Sequence, residues 1–414
     1  KKLEDDTCYF SIFENSGRPE ISTVGTGLLR DIEYLDLVPS PQSWDFMVFA
    51  LAVSAADLAV YRTGTVDGWT RMMELEVALA NPAPFIAQSN ALAEMLRFLT
   101  GDYWRLKFVG GGVAAPNNTA PGSFDADCVS LLSGGADSLV GGIDLSTSGR
   151  RPLFVSQISR GDAKTQITYG KQLGAIKRHI QWNHNTQLGY PSERSTRARS
   201  IVFFAFAALA GSTLANPNGN GTEIYVPENG FISLNVSLNP GRAGSLSTKT
   251  THPIFLGRLE AVWQSLGISA RLLRPYAFKT KGEMFQECTN PALFQKLVGI
   301  STSCGRYLKN GYTQCGRCIP CLVRRAAFIK SGIPDSTPKM YKYADLASSA
   351  PNDGANDIGA VAAAVTKAEV YGVRSLTAGA LSFANSAERP KYQSVVERGL
   401  EELGVLLRQE KVLT

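Results

Sequence analysis

The chain has 414 residues, of which 44% are hydrophobic and 19% charged, as in a globular protein of two or three domains with a substantial core. Its formal net charge of +6 favours anionic ligands such as nucleotides without implying a nucleic-acid groove. No apolar run reaches 18 residues, so we expect no transmembrane helix and a cytoplasmic protein.

Residues 1–110 show no catalytic motif and are predicted to form an accessory α+β domain. Residues 8–13 and 104–108 have the patterns of strands, the second because hydrophobic and charged residues alternate. The apolar segment 45–61 fits either a helix or a pair of strands. Residues 74–99 are predicted to be helical, with interruptions at two prolines.

A linker rich in glycine, alanine and proline is predicted at 111–123, and the catalytic domain is predicted at 124–340. Within this domain, apolar segments with strand patterns alternate with helical ones. Such alternation predicts βαβ units and an α/β fold with a doubly wound parallel sheet. The predicted strands are 128–132, 153–158, 223–226 and 271–273, and the predicted helices begin near 137 and cover 164–178, 195–215 and a segment around 262–266.

A glycine-rich loop follows the first strand of this predicted domain, with the sequence Ser133-Gly134-Gly135-Ala136-Asp137-Ser138. Two glycines permit a tight turn, and the helix that follows presents free N–H groups at its positive end. This arrangement suits a phosphate or pyrophosphate. No Gly-Lys-Ser/Thr follows, so the loop is not a Walker A motif.

Four of the seven cysteines lie within 18 positions, at Cys304, Cys315, Cys318 and Cys321. Clustered thiolates with Cys-x2-Cys spacing fit a closed, structural Zn²⁺ site with four sulfur ligands. An iron–sulfur cluster and redox-active thiols are the alternatives. Beyond the cysteines, residues 341–414 are predicted to form a helical extension, with helices at 357–370 and 392–408.

The loop Ser133–Ser138 resembles the signature of PP-loop ATP pyrophosphatases, which split ATP into AMP and pyrophosphate while they adenylate a substrate oxygen. With the cysteine knuckle about 170 residues later, the chain resembles the QueC family, the PP-loop 7-cyano-7-deazaguanine synthases. Lys281-Gly282-Glu283 stands where that family has a Ser-Lys-x-Glu segment, and Arg197–Ser200 resembles its Gly-Arg-Asn helix start. The resemblance covers about residues 124–330.

This resemblance implies ATP, Mg²⁺ and Zn²⁺ as cofactors. Gly134 and Gly135 would cradle pyrophosphate, while Ser133 and Ser138 would donate hydroxyl hydrogen bonds to phosphate. Asp137 would hold Mg²⁺, although a carboxylate there also satisfies the backbone donors of a helix start.

The resemblance also implies contacts to ATP from residues that are far from the loop in the sequence. Ser156 and Gln157, at the end of the second predicted strand, are placed to meet ribose or adenine. Lys281 would stabilise the leaving pyrophosphate as a catalytic residue, with a surface lysine as the alternative.

Two arginines and three polar residues are the predicted contacts to the substrate. Arg199, as a catalytic residue, and Arg197 would bind phosphate or the substrate carboxylate, unless both are exposed arginines of a helix start. Glu228 and Asn229 would read a guanine-like edge, with a purely local turn as the alternative. His252 would transfer a proton, or else be a structural histidine of its loop.

The chain is longer than the resemblance, since about 120 residues precede the matching region and about 80 follow it. This architecture resembles the enlarged QueC-like proteins of bacterial antiphage systems, namely Qat and type IV CBASS. The resemblance implies that an activated 7-carboxy-7-deazaguanine is joined as an amide to a partner protein. Membranes and nucleic acids are not expected partners, and a homodimer is compatible with the resemblance.

Other activities remain open at this point. A preQ0 synthase would release free 7-cyano-7-deazaguanine, and another PP-loop enzyme would act as a tRNA thiolase or amidotransferase. The cysteines outside the knuckle form no Cys-x2-Cys pair, and the net charge is modest for a tRNA-binding protein. A degenerate nucleotide-binding scaffold is the non-enzymatic alternative, and the intact loop signature argues against it.

Overall fold

Strands and helices alternate over most of the chain in the structure, a computed structural model that describes residues 7–117, 122–158, 161–215, 219–238, 249–348 and 357–414. The predicted linker residues 118–121 lie outside the described residues. The strands are β1 (Tyr9–Ile12), β2 (Ile21–Val24), β3 (Met72–Ala78), β4 (Tyr103–Val109), β5 (Cys128–Leu131), β6 (Pro152–Gln157), β7 (His179–Trp182), β8 (Thr222–Tyr225) and β9 (Ala270–Leu273).

The helices surround these strands. They are α1 (Leu28–Tyr34), α2 (Pro41–Ala59), α3 (Ala83–Ala87), α4 (Ser89–Thr100), α5 (Ala136–Thr147), α6 (Ala163–Gln172), α7 (Arg199–Ser212), α8 (Gly230–Leu234), α9 (Pro253–Leu266), α10 (Lys281–Gln286), α11 (Pro291–Val298), α12 (Ile319–Ser331), α13 (Ile358–Tyr371), α14 (Arg374–Thr377) and α15 (Arg389–Gln409).

The central sheet has the strand order β7-β6-β5-β8-β9, and every neighbouring pair is parallel. The predicted doubly wound parallel sheet is therefore confirmed. The chain leaves β5 towards β6 on one side and reaches β8 on the other, so the order reverses between β5 and β8. Ligands of such sheets bind at the carboxyl ends of the strands where the order reverses. The helix predicted over 164–178 ends earlier, at Gln172, and strand β7, which begins at His179, was not predicted.

Helices cover both faces of this sheet. One face packs against α7 and α9, and α7 is apolar on nearly all sides because α2 covers its outer surface. The other face packs against α5 and α6, with α10 and α11 behind α5. A helix that is hydrophobic all round must be buried in this way.

The N-terminal region shares one hydrophobic core with the central sheet, because α2 joins the two. The ambiguous segment 45–61 is helical, since Ser40 caps α2 by accepting a hydrogen bond from the Ser43 N–H at 3.2 Å. The prediction of a helix over 74–99 is wrong for its first residues, because Met72–Ala78 is strand β3, parallel to β4, and it is confirmed for α3 and α4. The alternating buried and exposed residues of β3 have the period of a strand.

Four buried charges join α2 to the segment before β3 and to the start of β4. The Asp57 carboxylate accepts hydrogen bonds from the Arg71 guanidinium and, at 2.6 and 2.7 Å, from the Arg197 and Ala198 backbone N–H groups. Asp102 accepts from Arg71 at 2.7 Å, and Arg62 adds a further guanidinium to both carboxylates. The cluster fixes the N-terminal region to the start of α7.

We expect the Asp57→Asn variant to lose roughly 3–5 kcal/mol of unfolding free energy, because it leaves buried guanidinium charge without its partner. Urea unfolding followed by circular dichroism measures this loss. Asp31→Asn is the control, since the Asp31 side chain is 49% exposed and should change stability by no more than about 0.5 kcal/mol. Equal stability of the two variants would contradict the expectation.

The C-terminal residues are helical as predicted, with α13 and α15 close to the predicted limits. Both pack against α12, and α15 also packs against α8 around a separate hydrophobic core. Within the described part of the chain, no helix is both long enough and apolar enough to cross a membrane. The domain limits at 110, 123 and 340 stay predictions.

Candidate functional site

The glycine-rich loop lies at the carboxyl end of β5, where the strand order reverses. Gly134 has a φ of +90°, a left-handed conformation that favours glycine, and Gly135 is the N-cap of α5. The Ser133 hydroxyl accepts from the Gly135 N–H at 3.3 Å and bonds the Ser138 hydroxyl at 3.2 Å. The Ser138 hydroxyl donates to the Gly135 carbonyl at 2.9 Å. The first N–H groups of α5 have no acceptor within the helix and carry its positive end.

Two neighbouring segments fix the carbonyl groups of this loop. The Thr302 N–H donates to the Gly134 carbonyl at 3.1 Å. The Gln166 amide donates to the Ser133 carbonyl at 3.1 Å and to the Gln157 carbonyl at 3.2 Å. These hydrogen bonds to the carbonyl groups fix a loop conformation in which the N–H groups can face a ligand.

Asp137, in the first turn of α5, is the centre of a buried polar cluster. Its carboxylate accepts from the Lys281 ammonium and, at 2.7 Å, from the Asn229 side-chain amide. The Asn229 backbone N–H also approaches it, at 3.2 Å. Glu228 lies beside it, 3.4 Å from the Asn229 amide nitrogen. The structure therefore brings four predicted site residues together from three separate segments.

The two carboxyl groups of this cluster differ in their pKa. The pKa of Asp137 is lowered to about 2, because Lys281, Glu228 and Asn229 together outweigh the effect of its burial. Burial and the negative charge of Asp137 raise the pKa of Glu228 well above its usual value. A pair of neighbouring carboxyl groups whose pKa values are shifted in opposite directions is typical of catalytic and ligand-binding sites.

The C-terminal helix positions Lys281. Lys281 is the first residue of α10, and Thr280 and Glu283 form a capping box at the start of that helix. The Thr280 hydroxyl also donates to Glu402 of α15, and Arg398 of α15 donates to Glu283 at 2.5 Å. These contacts connect the predicted helical extension directly to the Asp137 cluster.

Arg199 and Asp162 lie close to the loop on the side of β6. The Arg199 side chain is exposed, and among the described residues its guanidinium has no hydrogen-bond or ion-pair partner. Its pKa is lowered by desolvation, an effect that attraction to Asp162 opposes. The Asp162 Oδ1 is buried without a hydrogen-bond partner among the described residues, and burial raises the pKa of its carboxyl group. A cation or hydrogen-bond donor of a ligand would satisfy that oxygen.

The structure does not support the predicted contact of Ser156 with ribose or adenine. Its side chain is buried, and its hydroxyl donates to the Leu132 carbonyl at 2.6 Å and bonds the His179 Nε2 at 2.9 Å. The Gln157 amide lies 3.2 Å from the His184 Nδ1 and 3.5 Å from the Arg199 carbonyl. The Ser156 hydroxyl is therefore engaged between β5 and β7, whereas the Gln157 amide contacts the residues that follow β7 and begin α7.

We expect Ser156→Ala to cost about 1–3 kcal/mol of unfolding free energy, because a buried carbonyl and imidazole lose their partner. The KM for ATP should not change. Ser130→Ala is the matched control, since that hydroxyl is buried on β5 without a partner in the described residues and its loss should be nearly neutral. A changed KM for ATP in Ser156→Ala, at unchanged stability, would contradict this assignment.

The structure gives Arg197 and His252 hydrogen bonds and ring contacts with residues outside the Asp137 cluster. The Arg197 guanidinium donates to the Thr100 carbonyl at 2.9 Å and stacks over Trp69 at 4.0 Å, so it is not an exposed arginine of a helix start. Burial among neighbouring charges lowers the pKa of its guanidinium to about 10. Its Nε and Nη2 are buried without partners among the described residues.

His252 is the N-cap of α9, because its Nδ1 accepts from the Ile254 N–H at 3.2 Å. Its ring lies between Phe98 and Phe383, with centroids 5.1 and 5.6 Å away. Burial lowers the pKa of its imidazole to about 4, so the ring is neutral near pH 7. These contacts favour the structural alternative for His252.

The four clustered cysteines converge on one point. All are buried, and their sulfur atoms lie within 4.8 Å of one another, with Cys315 and Cys321 at 3.8 Å. Four sulfurs about 2.3 Å from a tetrahedral Zn²⁺ would lie about 3.8 Å apart. Several backbone N–H groups point at these sulfurs at 3.3 to 3.4 Å, as suits thiolate ligands. The cluster can therefore hold zinc.

The cysteine knuckle is linked to the glycine-rich loop. The Gln314 side chain accepts from the Cys304 N–H at 3.0 Å and donates to the Ser301 carbonyl at 2.8 Å. Arg324, buried on α12, donates to the Val298 carbonyl at 2.9 Å and to the Ser301 hydroxyl. Since Thr302 follows at once and bonds Gly134, the knuckle fixes one wall of the loop.

Sequence reasoning missed Asp162, Gln166, Thr302 and Arg324. Asp162 lies five positions beyond the last residue of β6, Gln157, so a search for polar residues beyond each strand end would have found it. Gln166 and Thr302 have no local pattern that distinguishes them from surface residues. The sequence around Arg324 fits a solvated helix face equally well, and only its burial and its hydrogen bonds to the Val298–Ser301 segment show that it supports the loop.

Comparisons with known proteins add a partial similarity. A 77-residue stretch is 40% identical to the 7-cyano-7-deazaguanine synthase of Paracoccus denitrificans, which is 19% of this chain and 30% of that protein. The match thus spans less than a third of the length of the curated relative. No family model matches the chain, and no solved structure matches it.

Proposed function

We propose that this chain is a PP-loop enzyme that converts ATP to AMP and pyrophosphate while it activates a 7-carboxy-7-deazaguanine-type carboxylate. The observation that carries the proposal is the Asp137 cluster, in which Lys281, Glu228 and Asn229 meet directly beneath a glycine-rich helix start. The similarity to a 7-cyano-7-deazaguanine synthase supports the substrate class.

Binding of ATP is assigned to the loop and its neighbours. The N–H groups of Gly134, Gly135 and the first turn of α5 would hold the β- and γ-phosphates, with the Ser133 and Ser138 hydroxyls beside them. Arg199, which has an exposed guanidinium near the loop, would add a bidentate contact to phosphate. Mg²⁺, bound with ATP, would neutralise phosphate charge, and the ionised Asp137 is the residue to hold it.

The first chemical step would be adenylation of the substrate carboxylate. A carboxylate oxygen of the substrate attacks the α-phosphorus of ATP, the bond from that phosphorus to the bridging oxygen breaks, and pyrophosphate leaves with the electron pair. Lys281 would stabilise the charge that develops on the leaving group, since its ammonium is buried and already fixed in place. Catalysis then consists of positioning and charge stabilisation.

The second step would form an amide. An amine attacks the acyl carbon, AMP leaves, and the amine loses a proton. We assign this amine to the N-terminus of a partner protein in a bacterial antiphage system, which the enlarged chain resembles. Glu228 would read the guanine-like edge through its carboxyl group, whose pKa is raised by burial and by the charge of Asp137.

The comparison favours a second candidate, the release of free 7-cyano-7-deazaguanine. One experiment tests both. The chain is incubated with α-labelled ATP, 7-carboxy-7-deazaguanine and either ammonium or the proteins co-expressed from neighbouring genes, and the products are identified by chromatography and mass spectrometry. AMP with a protein adduct supports the amide ligase, and AMP with a free nitrile supports the synthase. Formation of ADP and phosphate, or of no AMP with any acceptor, would overturn the proposal.

A further inference from the structure

Asp162 has a carboxyl group that the fold itself does not use. It is the N-cap residue of α6, but its side chain makes no capping hydrogen bond, because its own backbone already has the helical conformation. The Oδ1 atom is buried without a hydrogen-bond partner among the described residues. The residue as a whole is only half-buried, so a ligand can approach it. A buried carboxylate oxygen without a donor is unfavourable unless a ligand or a water molecule supplies one.

The backbone of Asp162 is fixed beside the glycine-rich loop. A Cβ atom at Gly134 would lie 3.4 Å from the Asp162 Cβ, so the two residues pack directly together. The preceding Gly161 has a φ of +95°, and a Cβ atom there would lie 2.9 Å from the Tyr312 ring. The Asp162 carbonyl accepts from the Gln166 N–H at 2.9 Å. These contacts hold the carboxyl group at the edge of the loop.

The sheet topology places Asp162 and the Asp137 cluster on opposite sides of the loop. The loop follows β5, and Asp162 lies five positions beyond the end of the neighbouring β6. Asn229 and Lys281 follow β8 and β9, which lie on the other side of β5. Because the strand order reverses at this point, the two ends of a ligand can extend from the loop in opposite directions.

This topology separates the two ends of a bound nucleotide. Lys281, assigned above to the leaving pyrophosphate, lies on the side of β8 and β9, so the nucleoside would extend over the end of β6. In doubly wound sheets that bind dinucleotides, phosphate lies on the loop after one strand, and an acidic residue further along the chain binds a ribose hydroxyl. Asp162 has the corresponding place in this sheet.

Ribose hydroxyl groups are donors that suit this carboxyl group. The 2′- and 3′-hydroxyls are neighbours on the ring, and the two oxygens of one carboxylate can accept from both. The residues first predicted to meet ribose do not supply such an acceptor. The Ser156 hydroxyl is engaged between β5 and β7, and the Gln157 amide lies 3.2 Å from the His184 Nδ1.

We propose that Asp162 binds the ribose of ATP by accepting hydrogen bonds from its 2′- and 3′-hydroxyl groups, and that it selects ribonucleotides over 2′-deoxyribonucleotides. The inference rests on the proposed function, because it assigns the nucleoside end of the same ATP site. It adds a specificity residue on the side of the loop that the Asp137 cluster does not reach.

Equilibrium binding to the full chain tests the assignment without any reaction. The probes are ATP and 2′-deoxy-ATP with Mg²⁺, titrated calorimetrically in the absence of a deazaguanine substrate. We expect the unaltered chain to bind ATP roughly tenfold to a hundredfold more tightly, as a hydrogen bond to a charged group implies. In Asp162→Ala the affinity for ATP should fall to nearly that for 2′-deoxy-ATP. Asp162→Asn keeps one acceptor oxygen and should restore part of the selectivity.

Asp144→Ala is the matched control. Asp144 lies on α5 and bonds Thr289 and Tyr276 rather than the loop, so this variant should keep the selectivity of the unaltered chain. Circular dichroism verifies that all variants are folded. The ratio of the two affinities is the decisive quantity, because a general loss of structure weakens the binding of both nucleotides alike.

Three results would overturn the assignment of Asp162 and leave the proposed function standing. One is equal affinity of the unaltered chain for ATP and 2′-deoxy-ATP. Another is equal weakening of both nucleotides in Asp162→Ala, which would show a Mg²⁺ ligand instead of a ribose contact. The third is unchanged binding of both nucleotides in that variant, which would show that Asp162 only attracts Arg199. Failure of the unaltered chain to bind either nucleotide at millimolar concentration would overturn the proposed function together with this inference.

Discussion

Asp137→Asn is expected to slow AMP formation on the order of a thousandfold, the size of effect seen when one preorganised charge or donor is removed from a site. The substitution keeps the shape of the side chain and removes its negative charge. Lys281 then loses its partner, and the residue assigned to hold Mg²⁺ is neutral. The initial rate of AMP release from labelled ATP measures the effect.

Asp144→Asn is the matched control for this prediction. Asp144 lies on the same helix and makes the same kind of polar contacts, accepting from the Thr289 N–H at 2.9 Å and the Tyr276 hydroxyl at 2.6 Å. It does not contact the loop, so its variant should lose some stability and little activity. If both variants lose activity to the same degree at equal folded fraction, the special role of Asp137 is refuted.

Cys318→Ser should lower the free energy of unfolding by roughly 5 kcal/mol or more, because a structural zinc site of four cysteines contributes on the order of 10–16 kcal/mol to folding. The variant should also contain less zinc and bind ATP more weakly. The second effect follows because Gln314 and Arg324 connect the knuckle to the Ser301–Thr302 segment, which bonds Gly134. Metal content, thermal unfolding and ATP titration measure the three effects.

Cys288→Ser separates the loss of a metal ligand from the loss of a buried thiol. Cys288 is buried outside the cluster, beside the Asn290 carbonyl. Its replacement should retain the zinc and cost no more than about 2 kcal/mol. A Cys318→Ser protein that keeps its zinc and unfolds at the same temperature as Cys288→Ser would show that the knuckle is not a zinc site.

Local patterns predicted the elements on which the site is built. The apolar run before Ser133, the two glycines and the helix that follows are contiguous, so their conformation depends mainly on near neighbours. The spacing of the four cysteines is local in the same sense. Strand β3 was mistaken for helix, because its alternation becomes decisive only when β4 pairs with it.

The sequence by itself determined the glycine-rich turn, the cysteine knuckle and the alternation of strands and helices, because each depends on residues close in the chain. Only the tertiary structure decided which side chains meet. Parallel strand order brings Asn229 and Lys281 to Asp137 from about 90 and 140 positions away in the chain. The buried side chains of Ser156 and Arg197 instead donate hydrogen bonds to backbone carbonyl groups. Hydrogen bonds and burial of this kind are properties of the packed chain, and no local pattern encodes them.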